Sequence, residues 1–457
     1  MGSTLRRNSR IRHCLGTHGT DFLEHASCSF ERILPHTQVR KWKEKAAKER
    51  ARATWDGNKR KSINLTLSVN SQDVDYSLSS KLERRTPPKG VGKISRTLDT
   101  REHMICRTIV EHLSKVLTQN HAATSQFYLM SSRDDFDEQV VAQHLQDYHG
   151  LCLDVFEMLT SLHKLAEQTY ENKQLVFGCL LDTKQNARSG SSLFPQEMFA
   201  RKRYRVLSDG FRTAYHVDSK GALLGFIDLE KFDRSGKSLK HFYPEWAENI
   251  ARASRKSRCG ICLNRNGDIL VFDEANLRLT YRFGRWQYWN HNHIVDLLKN
   301  IMRVQRVPPT LVGKVASIIY RVALDVAFRR TGALFVILRH GNDLRKIVLK
   351  GDAINDKNRH KVDNAFDDAL PGKSILSLPR TILVELSSLD GAIVLNNRGQ
   401  PLAYGAVLNP RKKGKTTATE GSRTKAAIGA SNYGISVKIS SDGDISVFHK
   451  GKEFLRI

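Results

Sequence analysis

The chain has 457 residues, 40% hydrophobic and 26% charged, with a formal net charge of +27. That length predicts two or three domains, and the charge favours polyanionic partners such as nucleotides, nucleic acid or anionic lipid heads without choosing among them. Seven cysteines (14, 28, 106, 152, 179, 259, 262) form no regular framework, and the longest apolar stretch, Leu311–Phe328, is broken by Lys314, Arg321 and Asp325. These features, with no apolar core behind the N-terminal arginines, exclude a disulfide-stapled secreted domain and a spanning helix. They predict a cytoplasmic protein with no membrane partner.

Residues 1–100 hold 21 Lys/Arg against 10 Asp/Glu and no sustained apolar period. They predict a basic, disordered region with one charged helical segment, Val39–Trp55, closed by a linker at Thr86-Pro87-Pro88-Lys89-Gly90. A basic anchor for nucleic acid is the alternative. Over 101–189 the pattern turns helical: Ile105, Ile109, Val110, Leu113 and Val116 fall at helical spacing, as do Val140, Val141, Leu145, Leu151, Leu153 and Phe156.

Residues 190–305 change character. Apolar and alternating runs at Ala214–Val217, Ala222–Ile227, Gly260–Leu263 and Ile269–Phe272 are separated by Gly-containing turns, and Asn266-Gly267 marks a hairpin. A helix over His293–Arg303 ends this small α/β or β-rich domain, and Val307-Pro308-Pro309 marks its boundary. Residues 306–457 then read as helix Thr310–Arg330, a stop at Thr331-Gly332, buried strand Ala333–Leu338, second buried strand Gly391–Leu395, and a final alternating hairpin. That order predicts an α/β domain.

One internal echo exists. Cys259-Gly260-Ile261-Cys262 with Gly267-Asp268-Ile269-Leu270-Val271-Phe272 resembles Tyr433-Gly434-Ile435-Ser436 with Gly443-Asp444-Ile445-Ser446-Val447-Phe448. Two uses of a generic hairpin explain it more cheaply than a duplicated domain.

The chemistry concentrates near the C-terminal end. Asp390-Gly391-Ala392 heads an apolar run, and about thirty residues later Gly421-Ser422-Arg423-Thr424-Lys425 opens a basic turn into Ala426-Ala427. A carboxylate for a metal and a Gly-led basic turn for phosphates are the minimum equipment of a nucleotide site. The bland alternatives are a turn cap for Asp390 and a solvated loop for Arg411-Lys412-Lys413-Gly414-Lys415. Cys259-x-x-Cys262 lacks a second pair, and strand alternation sends its thiols to opposite faces. His291 and His293 read as polar surface at a helix start. Arg278, Tyr281, Arg282, Phe283, Arg285, Trp286, Tyr288 and Trp289 read as a β-domain core with an Arg-rich face, ahead of a single-stranded nucleic-acid surface.

Taken in order, the helix into Gly332-Ala333-Leu334-Phe335-Val336-Ile337, Asp390-Gly391-Ala392, the Gly421–Ala427 turn and the Ser440–Val447 hairpin resemble the diadenylate cyclase (DAC) catalytic domain, as in the bacterial DNA-integrity scanning protein. The resemblance spans about residues 310–457. It implies condensation of two ATP molecules into cyclic di-AMP or a related cyclic dinucleotide, with Mg or Mn as cofactor. It also implies a homodimer or higher oligomer formed through this domain, and a preceding sensor domain, here 190–305, with its own unknown ligand. Carried onto this chain, Asp390, Gly391 and Ala392 become the catalytic segment, with Asp390 on the metal and the 3′-hydroxyl. Gly421, Ser422, Arg423, Thr424 and Lys425 become the ATP-binding turn. The family turn reads Gly-Thr-Arg-His-Arg-Ala-Ala, so Ser422, Thr424 and Lys425 depart from it, and the family's Ser-Glu-Glu segment is thinned to Ser440-Ser441-Asp442. Binding survives such changes more easily than turnover, which leaves a binding-only domain of this fold as the alternative. A nucleic-acid-binding protein using its basic tail is the third reading.

Overall fold

In the computed structural model, which describes residues 9–45, 50–55, 60–71, 74–85, 97–118, 135–185, 194–232, 239–354, 356–410 and 421–457, the alternation of Ile63, Leu65, Leu67 and Val69 builds strand Ser62–Ser71. All four side chains are buried, as period two requires of a strand with one face on a core. This strand pairs antiparallel with Val74–Arg84 and Arg52–Trp55. Val74–Arg84 also pairs with Thr37–Val39 and Lys43–Lys45. Helix Ser9–Ile33 adds Phe22, Leu23, Ala26, Phe30 and Ile33 to the same core.

The expectation of a disordered region over 1–100 is therefore corrected for the described residues, and Val39–Trp55 contributes strands rather than a helix. The physical reason is that Arg, Lys, Ser and Asn fill the outward strand positions. They dilute the apolar count, and on the inward face the buried Arg84 is paired with Glu102. The linker predicted at 86–90 lies outside the described residues, as does the basic run at 411–415.

Helices Thr100–Thr118, Phe136–His149 and Val155–Ala166 fulfil the helical reading of 101–189. That span also contains the fully buried strand Phe177–Asp182, so the boundary expected at 190 is misplaced. The chain divides into two units, one drawn from residues 1–86, 96–234 and 246–289, the other from 87–95, 235–245 and 290–457. Helix His291–Val304 belongs to the second unit, so Val307-Pro308-Pro309 joins two helices of one unit instead of separating domains. His291, expected on the surface, is buried, and its Nδ1 lies 2.8 Å from the Tyr320 hydroxyl. No helix among the described residues is long and apolar enough to cross a membrane.

The first unit holds a seven-stranded sheet in the order Leu223–Asp228, Thr213–Asp218, Phe177–Asp182, Arg258–Leu263, Ile269–Asp273, Asn276–Arg282, Arg285–Tyr288. The second holds six strands in the order Pro401–Ala406, Ala392–Leu395, Ala333–Leu338, Gly434–Ile439, Ile445–His449, Lys452–Arg456. Strand for strand the first six match. Each sheet has one parallel pair, in the same place: Phe177–Asp182 with Thr213–Asp218, and Ala333–Leu338 with Ala392–Leu395.

The turns match as well. Asp218 Oδ1 accepts from the N–H groups of Lys220 and Ala222, at 2.9 and 2.8 Å. Asn396 Oδ1 accepts from Arg398 and Gln400, at 2.9 and 3.0 Å. In the next hairpin Asn264 and Ser440 occupy one position, each taking a side-chain bond from the N–H two residues on. The positive-φ glycines 221, 399, 267 and 443 follow in step. Such agreement in topology and turn chemistry is repetition of a whole domain. The generic-hairpin reading of the echo gives way to this repeat, in which Gly267–Phe272 and Gly443–Phe448 are in register while Cys259–Cys262 and Tyr433–Ser436 are offset by two residues; only turn positions constrain side-chain identity, and buried positions accept any apolar residue of suitable size. The aromatic-basic cluster behaves as core, with Trp286, Tyr288 and Trp289 buried and Phe283 and Arg285 exposed about a hairpin tip. Cys259 and Cys262 are buried too.

Candidate functional site

Strand Ala333–Leu338 is apolar and buried at every position, so polar groups collect only at its ends. Parallel pairing brings the start of Ala392–Leu395, and with it Asp390-Gly391, to the end where Thr331-Gly332 lies. Antiparallel pairing of Ala333 with Ile439 and of Leu334 with Lys438 brings the end of Gly434–Ile439 to the same place. Helix Ser422–Ala430 begins there, with Gly421 as its N-cap. Four separate stretches of chain thus converge at one end of the sheet.

Arg423 Nη2 lies 3.8 Å from Asp390 Oδ1. The carboxylate is fully exposed, and solvent screens such a pair so strongly that folding does not depend on it. Gly332 makes this geometry possible. The Arg423 guanidinium lies across it, and a Cβ at residue 332 would approach Arg423 Cζ to 2.8 Å. Gly421 carries no side chain to cap the helix, and the N–H of Lys425 is taken by Gly421 O at 3.1 Å. Among the described residues the N–H groups of Ser422, Arg423 and Thr424 have no acceptor. They point along the positive end of the helix dipole. Ser422 and Lys425 are exposed on the first turn. Lys438 Nζ donates to Thr424 Oγ1 at 2.9 Å.

The predicted residues do not all share this role. Gly391 has φ +106°, and a Cβ there would come within 2.5 Å of Gly405 O and 2.7 Å of Ala406 O. Its lack of a side chain serves the neighbouring strand backbone, whereas the sequence reading assigned it to the nucleotide. Ala392 is buried in the domain core and pairs with Ala406. Asp390, Gly421, Ser422, Arg423, Thr424 and Lys425 are brought together; Gly391 and Ala392 shape the strand that holds Asp390. Asp442 of the thinned acidic segment is engaged locally, its Oδ2 accepting from Ser440 Oγ at 3.3 Å. Gly332 and Lys438 were missed as site residues. No local signal marks Lys438, whose side of the strand follows only from its pairing with Leu334.

No group of three or more His, Cys, Asp or Glu among the described residues could hold a metal ion. The single exposed carboxylate of Asp390 still fits a cation of the Mg type, which takes one or two carboxylates and completes its shell with water and substrate phosphates. A separate cleft of about 650 Å³, lined by Asp356, Asp367, Lys373 and Tyr404, opens beside the other end of Ala392–Leu395, at Asn396 and Gln400. None of the predicted site residues lines it.

No family model and no curated protein matches the chain. Among solved structures, a hypothetical membrane spanning protein from Bacillus cereus aligns at 17% identity and a TM-score of 0.25, over 36% of this chain and 74% of that one. A double mutant of DacA from Staphylococcus aureus aligns at 21% identity and a TM-score of 0.21, over 31% of this chain and 87% of that one.

Proposed function

We propose that the second unit is a nucleotide-binding domain of the diadenylate cyclase type, which condenses two ATP molecules into cyclic di-AMP or a related cyclic dinucleotide. One observation carries this reading: Asp390 and Arg423 converge to 3.8 Å at a sheet end where Gly332 leaves room for the guanidinium. Arg423, the open N–H groups of the first helical turn and Lys425 bind and orient the triphosphate; the planar Arg fork suits phosphate oxygens. Asp390 accepts the proton of the attacking ribose hydroxyl through a hydrogen bond and would, with the phosphates, hold Mg or Mn, which when bound neutralises charge at the reacting phosphate. Because the Asp390 carboxylate faces solvent, it can serve a nucleotide held by a second copy, which accords with a homodimer. In this reading the first unit is the regulatory part, in place of the narrower sensor domain expected over 190–305.

The test is incubation of purified protein with labelled ATP and Mg²⁺ or Mn²⁺, followed by chromatographic separation. A cyclic dinucleotide product supports the reading; ATP recovered intact refutes turnover. A second reading, nucleotide binding without chemistry, is favoured by Thr424. Its hydroxyl is already engaged by Lys438, and it has no imidazole to exchange protons. ATP binding with no product would select it.

A further inference from the structure

The repeated sheet supplies an internal comparison, because a side chain that the fold itself required would recur in both copies. The two sheets align without a gap between their matching turns. Taking Asp218 with Asn396 makes Leu181 equivalent to Ile337 and Cys179 to Phe335, through their parallel partners. Cys179 pairs with Ile261 and Phe335 with Val437, so Cys262 corresponds to Lys438. The same alignment sets Asn264 on Ser440, in agreement with their shared turn chemistry. For the helices, Ser254 and Ser431 each donate to the carbonyl three residues back at 2.7 Å, which places Ala247 on Thr424 and Trp246 on Arg423. Arg212 stands for Asp390, and Val176 for Gly332.

None of the polar groups of the second copy's sheet end is therefore needed by the fold. At the Lys438 position the first copy buries a cysteine completely. The second copy sets a half-buried lysine there, on the strand face shared with Leu334. A cation placed among apolar neighbours costs stability unless an anion compensates it. Among the described residues Lys438 has no carboxylate partner; its bond is to the neutral Thr424 hydroxyl.

We infer that Lys438 is a further phosphate-binding residue of this site, a second cation behind Arg423 whose ammonium, positioned by Thr424, meets the nucleotide's phosphate chain. The inference rests on the nucleotide reading of the site and adds to it a residue on the sheet itself. ATP and inorganic triphosphate would then share this contact, while adenosine would not.

The experiment measures ATP and inorganic triphosphate affinity for the full chain and for Lys438→Cys, Lys438→Arg and Arg423→Ala, with a thermal melt of each. Cysteine is chosen because the first copy shows the fold accepts it. Lys438→Cys is expected to weaken both ligands about 10–100-fold, the range for a lost charge-assisted contact, without lowering the melting temperature. Lys438→Arg should keep most of the affinity. Aminoethylation of the Lys438→Cys protein, which rebuilds a lysine-like ammonium, should restore binding, a rescue that a merely structural role would not produce. If Arg423→Ala weakens binding and Lys438→Cys does not, the Lys438 assignment is overturned while the nucleotide reading stands. If the parent binds neither ligand, or Arg423→Ala and Lys438→Cys both leave affinity unchanged, both fall. Should Lys438→Cys melt early, Lys438→Arg is compared with Lys438→Gln instead: tighter binding by the arginine variant supports the assignment, and equal affinity in the two overturns it.

Discussion

Gly332→Ala moves the arginine without removing it, and so isolates the geometry of the site from its composition. Gly332 lies in a backbone region open to any residue, so the added methyl meets no dihedral penalty and reduces the freedom of the unfolded chain. That substitution alone stabilises by about 0.4–1 kcal/mol. Its three nearest neighbours are the tip atoms of Arg423, with Cζ at 2.8 Å from the new Cβ, inside the usual carbon contact of about 3.5 Å. The guanidinium must swing aside and lose its position over the sheet end, opposite Asp390. Nucleotide affinity should fall by about 1.5–3 kcal/mol, close to the loss in Arg423→Ala. The melting temperature should hold or rise. Calorimetric titration with ATP across the two single mutants and the double mutant completes the test. Because both changes abolish one contact, the double mutant should bind no worse than Arg423→Ala alone. Additive losses would mean that Gly332 acts by some route other than the arginine, and an unchanged affinity in all three would place the nucleotide elsewhere.

Asp390→Asn should abolish dinucleotide synthesis while leaving the melt unchanged, since the carboxylate is fully exposed and its removal disturbs no packing; product chromatography beside a thermal melt checks both halves. Phe30→Ala should destabilise by about 3–5 kcal/mol, because the ring is wholly buried in the first unit's core, and urea unfolding measures it. Acid should weaken the fold. Burial lowers His36 and His144 to about 3 and His149 and His163 to about 4. Unfolding then takes up protons below the unfolded value near 6.5, and stability present at neutral pH is lost as pH falls toward the folded values. Glu138, raised by burial to about 7, works in the opposite direction over pH 7 to 4.5 but is one group against four. His144→Gln should remove about 2 kcal/mol of the loss between pH 7 and pH 5, seen as a shallower dependence of the urea midpoint on pH.

What the sequence made legible follows from how locally each feature is written. The run Ala333–Leu338 and the stops around it read correctly because a fully buried strand leaves no polar residue to confuse the pattern. Asp390 and Arg423 were legible as a pair because each sits in a short motif whose neighbours are small: Gly391 accommodates a strand backbone and Gly421 opens a helix. The N-terminal sheet was not legible by composition, yet its inward residues Ile63, Leu65, Leu67 and Val69 keep strict alternation. A face-by-face reading finds what an average over a hundred residues hides.

The duplication and Lys438 escaped for one shared reason: both are statements about register. A lysine on a strand reads as outward-facing until the pairing of Leu334 with Lys438 fixes its side, and the pairing of Phe335 with Val437 is what sets Cys262 against it. No single stretch of sequence contains that information, because it depends on which strand lies alongside. Once register is known, the two copies divide the site's residues into those the fold demands and those it does not. Ala392, matched by the buried Ala214, falls on the structural side; Gly391, where the first copy has Thr213, is accounted for by its close approach to Gly405 and Ala406. Asp390, Arg423, Thr424 and Lys438 fall on the other, where the first copy has arginine, tryptophan, alanine and cysteine. A set of polar groups that folding does not require, gathered at one sheet end from three separated stretches of chain, is what the proposed nucleotide site calls for.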